Sequence, residues 1–173
     1  MFRVIAVYGL IAGAIVAAAM VASMAIGAHS MVVGYLSMLV ALSMVFVGIK
    51  KYRDDQLGGV IGFWPAAGVG LGISAVASLC YAVGWEVYLY STDYSFMADY
   101  ANSVVASAKA DGASSAEIAK MQADMAGFAK SYENPVYRFL ITLSEIAPVA
   151  ILVTLLSAAL LRNRRFLPAR TVG

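Results

Sequence analysis

Uncharged apolar residues run from Val4 to Ala28, again from Met31 to Ile49, and again from Val60 to Trp85. A fourth apolar run, from Val136 to Leu161, is interrupted only by Arg138 and Glu145. Each is close to or above the roughly 20 residues that carry an α-helix across the hydrocarbon core of a bilayer. The pattern therefore predicts membrane-spanning helices at about 4–27, 31–49, 62–90 and 136–161. Between the third and fourth, residues 91–134 change character. Ile118, Met121, Met125, Phe128 and Tyr132 recur at the spacing of one helical face, and Met97, Tyr100, Val104 and Ala108 form a second such stripe. Ser114 and Glu117 have the spacing of a capping box, Asp111-Gly112 marks a turn, and Asn134-Pro135 ends the segment. The expectation is an all-α, four-transmembrane-helix protein with an extracytoplasmic helical hairpin between helices three and four. Residues 1–173 form one membrane domain and 91–134 are an insertion that packs its stripes together or lays them over the membrane mouth.

Small residues suggest how the helices meet. Gly9-x-x-x-Gly13 with Ala17 on the first helix, and Gly68-x-x-x-Gly72 with Ala75 on the third, are stripes that admit a neighbouring backbone closely. Pro65 suits the first turn of the third helix, and Trp64 suits the interfacial aromatic belt. Arg3 followed by an apolar run and Ala17-Ala18-Ala19 has the outline of a secretory leader. Leader cores end after roughly 7–15 residues, however, so the first helix is expected to be retained.

Composition supports a place in lipid: 62% of residues are hydrophobic, 13% are charged, and the mean hydropathy is +0.81. Globular chains are nearly half apolar and about a quarter charged. A net charge of +2 is too small for a nucleic-acid partner. One cysteine, Cys80, excludes an internal disulfide, and a single histidine, His29, argues against a Cys/His zinc site. No cofactor is expected. The basic residues have a topological meaning instead. Arg3, the cluster Lys50, Lys51 and Arg53, and the C-terminal arginines fall on one side of the four spans, while the segment between helices three and four is net acidic. Both termini and the Lys50–Pro65 stretch are expected in the cytoplasm of a bacterium, with the hairpin and His29 outside the inner membrane.

Taken together, Gly34-Tyr35-Leu36-Ser37-Met38, Gly48-Ile49 leading into Tyr52-Arg53-Asp54, Gly58-Gly59 with Phe63, Tyr81 with Glu86, and Glu145-x-x-Pro148 resemble a bacterial family catalogued as domain of unknown function 4199. The resemblance covers nearly the whole chain, the outer hairpin least. It implies a small four-helix inner-membrane protein and no particular activity.

Candidate chemistry lies where polar residues meet membrane depth. Glu145, about two turns into helix four, is costly in hydrocarbon and marks a functional site by default. Pro148 removes a backbone donor beside it. Arg138 shares roughly its helix face, and Glu86 is expected at similar depth on helix three. A Glu145–Arg138 or Glu145–Glu86 cluster with Tyr81 and His29 nearby would bind a cation, relay a proton or hold a polar ligand. The same groups also fit interhelical hydrogen bonding with no ligand. On the cytoplasmic side, Tyr52, Arg53, Asp54, Gly58 and Gly59 fit an ion-paired, structured turn or a phosphate cradle. They lack the Lys-Ser/Thr of a nucleotide-binding loop. No nucleophile–base pair or metal-ligand set is evident, so an enzyme ranks behind an accessory or assembly protein and a small oligomeric transporter or channel. The lipid bilayer, a further copy or another membrane protein are the expected partners.

Overall fold

The computed structural model describes residues 1–25 and 31–169. Among the described residues there are six α-helices and no strand. They are α1 (Phe2–Ala25), α2 (Met31–Gln56), α3 (Phe63–Ser91), α4 (Phe96–Ala110), α5 (Ser115–Tyr132) and α6 (Pro135–Leu161). Helices α1, α2, α3 and α6 contain 24, 26, 29 and 27 residues and are long and apolar enough to cross a membrane. At 1.5 Å per residue they are about 36–44 Å long, more than the ~30 Å of a hydrocarbon core, so their ends extend toward the headgroups.

The chain divides into two compact units, Met1–Gly84 with Leu143–Gly173, and Trp85–Thr142. In the first, α1 packs along α2. Its contact with α3 follows one ridge on each helix. Gly9 leaves room for Val76, where an added Cβ would stand 2.6 Å from the valine Cβ, and Gly13 likewise makes room for Cys80. Gly72 faces Ile5 and Gly84 faces Ala17. The pairs 5–72, 9–76, 13–80 and 17–84 keep a constant offset, so the two helices run parallel with their four-residue ridges meshed. The ridge on α3 is therefore Gly72, Val76, Cys80 and Gly84. Gly68, expected to share the packing face, has nothing within 4 Å of where a Cβ would stand, and Ala75 is exposed. Gly70 lies on the other side, against Thr154 of α6 and Ile49 and Val45 of α2. There the buried hydroxyls of Ser74 and Thr154 hydrogen-bond at 3.0 Å, joining α3 to α6.

Three segments far apart in sequence share one end of this unit. The Met1 ammonium donates to Gln56 Oε1 at 2.9 Å, Arg53 reaches the last carbonyl of α6, and an added Cβ at Gly59 would stand 3.1 Å from Ala169. The Lys50–Gln56 stretch, expected as a loop, is the last two turns of α2. Its charges favour the helix because Lys50 pairs with Asp54 and Lys51 with Asp55, each four residues on. Gly58 and Gly59, at φ of +63° and +86°, end it. The Gly59 N–H donates to the Arg53 carbonyl at 2.9 Å, a left-handed termination open to glycine at little cost.

In the second unit α4 packs along α5. Gly112, at φ +82°, makes the turn, and Ser114 caps α5 in a full capping box with Glu117. Hydrogen bonds from the Ser114 hydroxyl and backbone N–H hold the Glu117 carboxyl below its ordinary range. Asn134 caps α6, its Oδ1 accepting from the N–H groups of Val136 and Tyr137 at 2.9 and 3.3 Å, and Pro135 takes the first helical position. The helix continues through Pro148. No residue of α4 is buried, and of α5 only Tyr132 is.

Candidate functional site

The polar residues placed at membrane depth by their sequence positions are engaged in pairs. In the second unit, α3 presents Glu86 and the first turn of α6 presents Arg138. The guanidinium donates from Nε to Glu86 Oε1 and from Nη2 to Oε2, both at 2.7 Å, a two-pronged geometry that only arginine supplies. Its Nη1 donates to the Tyr132 carbonyl at 3.0 Å. The rings of Tyr94 and Tyr132 lie 5.1 and 5.8 Å from the guanidinium carbon, within the range of cation–π attraction. Tyr132 in turn accepts from Trp85 Nε1 at 2.6 Å, so the buried end of α5 is held by its ring hydroxyl and its carbonyl alike. Thr142 returns its hydroxyl to the Arg138 carbonyl at 2.9 Å. Arg138 is 6% exposed and nonetheless fully engaged, which is the condition on which a buried cation is tolerated.

In the first unit Tyr81, buried on α3, donates to Glu145 Oε2 on α6 at 3.2 Å. Glu145 lies about 15 Å along α6 from Pro135, so it sits well inside a membrane span, and it is an exposed residue. The ion pair foreseen for Glu145 is thus distributed differently: Arg138 takes Glu86, and Glu145 has a tyrosine. His29 lies outside the described residues.

A third polar centre sits at the end of α2. Arg53 is completely buried. Its Nε donates to Asp54 Oδ1 at 2.7 Å, its Nη1 to the carbonyls of Leu161 and Phe166 at 3.4 and 3.0 Å, and its Nη2 to the Leu167 carbonyl. Phe166 also meets Phe46 edge to face at 6.2 Å. The segment after α6 is therefore folded back onto α2 by one side chain that satisfies three backbone acceptors. Asp54, shared with Lys50, balances the charge. Tyr52 is half-buried one residue before it, and Gly58 and Gly59 terminate the helix around this centre. Reasoning from sequence missed this role of Arg53. The available signal was Phe166-Leu167, an apolar pair in an otherwise basic tail. It also missed the Trp85–Tyr132 hydrogen bond, because Tyr132 lies on an apolar helical stripe and Trp85 at the end of an apolar run.

Among the described residues no group of three or more His, Cys, Asp or Glu side chains could hold a metal ion, and no buried side-chain nitrogen or oxygen lacks a hydrogen-bond partner. The arrangement cross-links helices. These features define a multi-pass, all-helical membrane protein whose internal polar residues serve one another. The chain belongs to the family described as Protein of unknown function (DUF4199), whose model matches residues 7–163. No curated protein and no solved structure matches it.

The Arg53 centre has a measurable consequence. Arg53→Lys keeps the charge but has one nitrogen where four acceptors are now served. Hydrogen exchange in the full-length protein is expected to accelerate about tenfold or more at residues 162–166, equivalent to ~1.4 kcal/mol or more of lost local protection, with α1 unaffected. Unchanged exchange in that segment would show that something other than Arg53 holds it.

Proposed function

We propose that this protein is a non-catalytic accessory or assembly protein of the bacterial inner membrane, with both termini in the cytoplasm and the α4–α5 hairpin outside. The observation that carries this reading is the engagement of its internal polar groups. Arg138 with Glu86, Ser74 with Thr154, and Trp85 with Tyr132 use their polar groups to join one element to another. Helix α4 buries none of its residues, and the aromatic rings of Tyr90 and Tyr100 are exposed. Such a surface suits association with lipid or with another membrane component.

The orientation rests on charge. Arg3, Lys50, Lys51, Arg53, Arg162, Arg164 and Arg165 belong to segments that gather at one end of the first unit, as the contacts of Met1, Arg53 and Gly59 support. Residues 91–134 carry six acidic side chains against three lysines. Under the positive-inside rule the basic end faces the cytoplasm. An alkaline phosphatase fused near Asp111 is therefore expected to be active in a bacterial host, and an inactive fusion with full expression would reverse the assignment.

One observation favours a second reading, a small oligomeric transporter or channel. Glu145 is a carboxyl deep in a span, exposed, and accepts a hydrogen bond from Tyr81 at 3.2 Å. Groups of this kind line ion and proton pathways. Replacing Glu145 by Gln separates the two. The accessory reading expects about 1 kcal/mol or less of lost stability, because the glutamine carbonyl still accepts from Tyr81, and no change in ion or solute flux through proteoliposomes. Intact stability with abolished flux would establish the transporter.

A further inference from the structure

A half-open cleft of about 780 Å³ lies between α4 and α5. Its volume falls within the roughly 300–1,000 Å³ of ligand pockets. Its walls are Met97, Ala101 and Val105 from α4 and Met125, Ala126 and Ala129 from α5. The alanines hold it open, since a larger residue at any of these positions would occupy it. The methionines supply flexible, polarisable surface that adapts to an irregular or mobile occupant. A hairpin that buries only Tyr132 has no core of its own, and the cleft is where that core is missing.

The lining restricts the chemistry of what fills it. Arg138 reaches the floor, but both its prongs are spent on Glu86 and it offers no free positive charge. The carboxamides of Asn102 and Gln122, together with Glu133, are the remaining polar side chains apart from the tyrosines. The occupant must therefore be apolar and uncharged along most of its length. The floor is also formed by Leu89 near the end of α3 and Pro135 at the start of α6, which are the points where two membrane-spanning helices finish. Tyr94, which shares this lining, is 49% exposed, as an aromatic ring at the headgroup level of a bilayer would be. A hairpin lying flat on the membrane would turn both apolar faces the same way, whereas these two line a common cleft.

We infer that the cleft between α4 and α5 receives the acyl chain of a bilayer lipid, drawn up at the interface beside Leu89 and Tyr94. This goes beyond the accessory reading and does not depend on which side of the membrane the hairpin occupies. A bound lipid supplies the apolar core that the two helices lack, so the occupied hairpin is a more rigid surface than the empty one.

The test uses the full-length protein in nanodiscs of phosphatidylethanolamine and phosphatidylglycerol, with a trace of phospholipid carrying a diazirine in its acyl chain. Adducts after illumination are mapped by mass spectrometry. They are expected at Met97–Val105 and Gln122–Ala129, in addition to those on the spanning helices. Ala129→Trp should lower the hairpin adducts about tenfold, as a loss of ~1.4 kcal/mol in affinity would. Ala101→Trp, from the facing wall, should do the same if the first variant folds poorly, and Lys120→Trp, on the opposite face of α5, should leave them unchanged. The inference is overturned if adducts are confined to α1, α2, α3 and α6, or if both cleft variants label as strongly as the native chain. It is equally overturned by labelling spread evenly onto the Lys120 face, the mark of a hairpin resting on the bilayer, or by a protein segment cross-linked into the cleft in native membranes.

Discussion

Inside a bilayer no water is available to complete a hydrogen bond, so every polar atom on a spanning helix must find its partner within the protein or bear the cost. This constraint explains how the chain uses its few polar residues. Two arginines, Arg53 and Arg138, are almost entirely buried, and each is surrounded by acceptors: a carboxylate for its charge and backbone carbonyls for its remaining donors. A guanidinium suits this task because it presents five donors in a rigid plane. Both centres act on the termini of helices, where backbone groups have no intrahelical partner. Arg53 meets the carbonyl of Leu161 that ends α6, and Arg138 meets the carbonyl of Tyr132 that ends α5.

Close helix contact does the rest in the membrane-spanning part. Lipid is as apolar as leucine, so burial of apolar surface between helices gains little there, and packing has to come from fit. The meshed ridges of α1 and α3 provide it, with a glycine facing a larger side chain at each of the first three steps and at the fourth. The Ser74–Thr154 hydrogen bond adds a polar tie of modest strength to α6. Neither device requires a ligand.

Much of this was legible from the residues. The four spans and the hairpin follow from period and length, and the caps at Ser114 and Gly112 follow from local chemistry. What was misjudged involved relations between segments. Gly68-x-x-x-Gly72 correctly marks α3 as a helix of close approach, yet the stripe does not say which of its glycines faces a neighbour, and only Gly72 does. Lys50–Gln56 reads as a loop because charge is rare in such a chain, although Lys50–Asp54 and Lys51–Asp55 carry the spacing that extends a helix. Arg138 and Glu145 share a helix face, which suggested a pair. The arginine's geometry is better met by the two oxygens of Glu86, a residue fifty-two positions away that spacing along α6 cannot reveal.

The central claim is that the buried polar residues exist for one another. A double-mutant cycle on Arg138 and Glu86 tests it most directly, with unfolding of the full-length protein measured in mixed micelles. Arg138→Met and Glu86→Gln should each destabilise by about 2–3 kcal/mol, since each strands its partner, and the double variant should recover a large part of that loss. Single variants that cost nothing, or losses that simply add, would contradict the account.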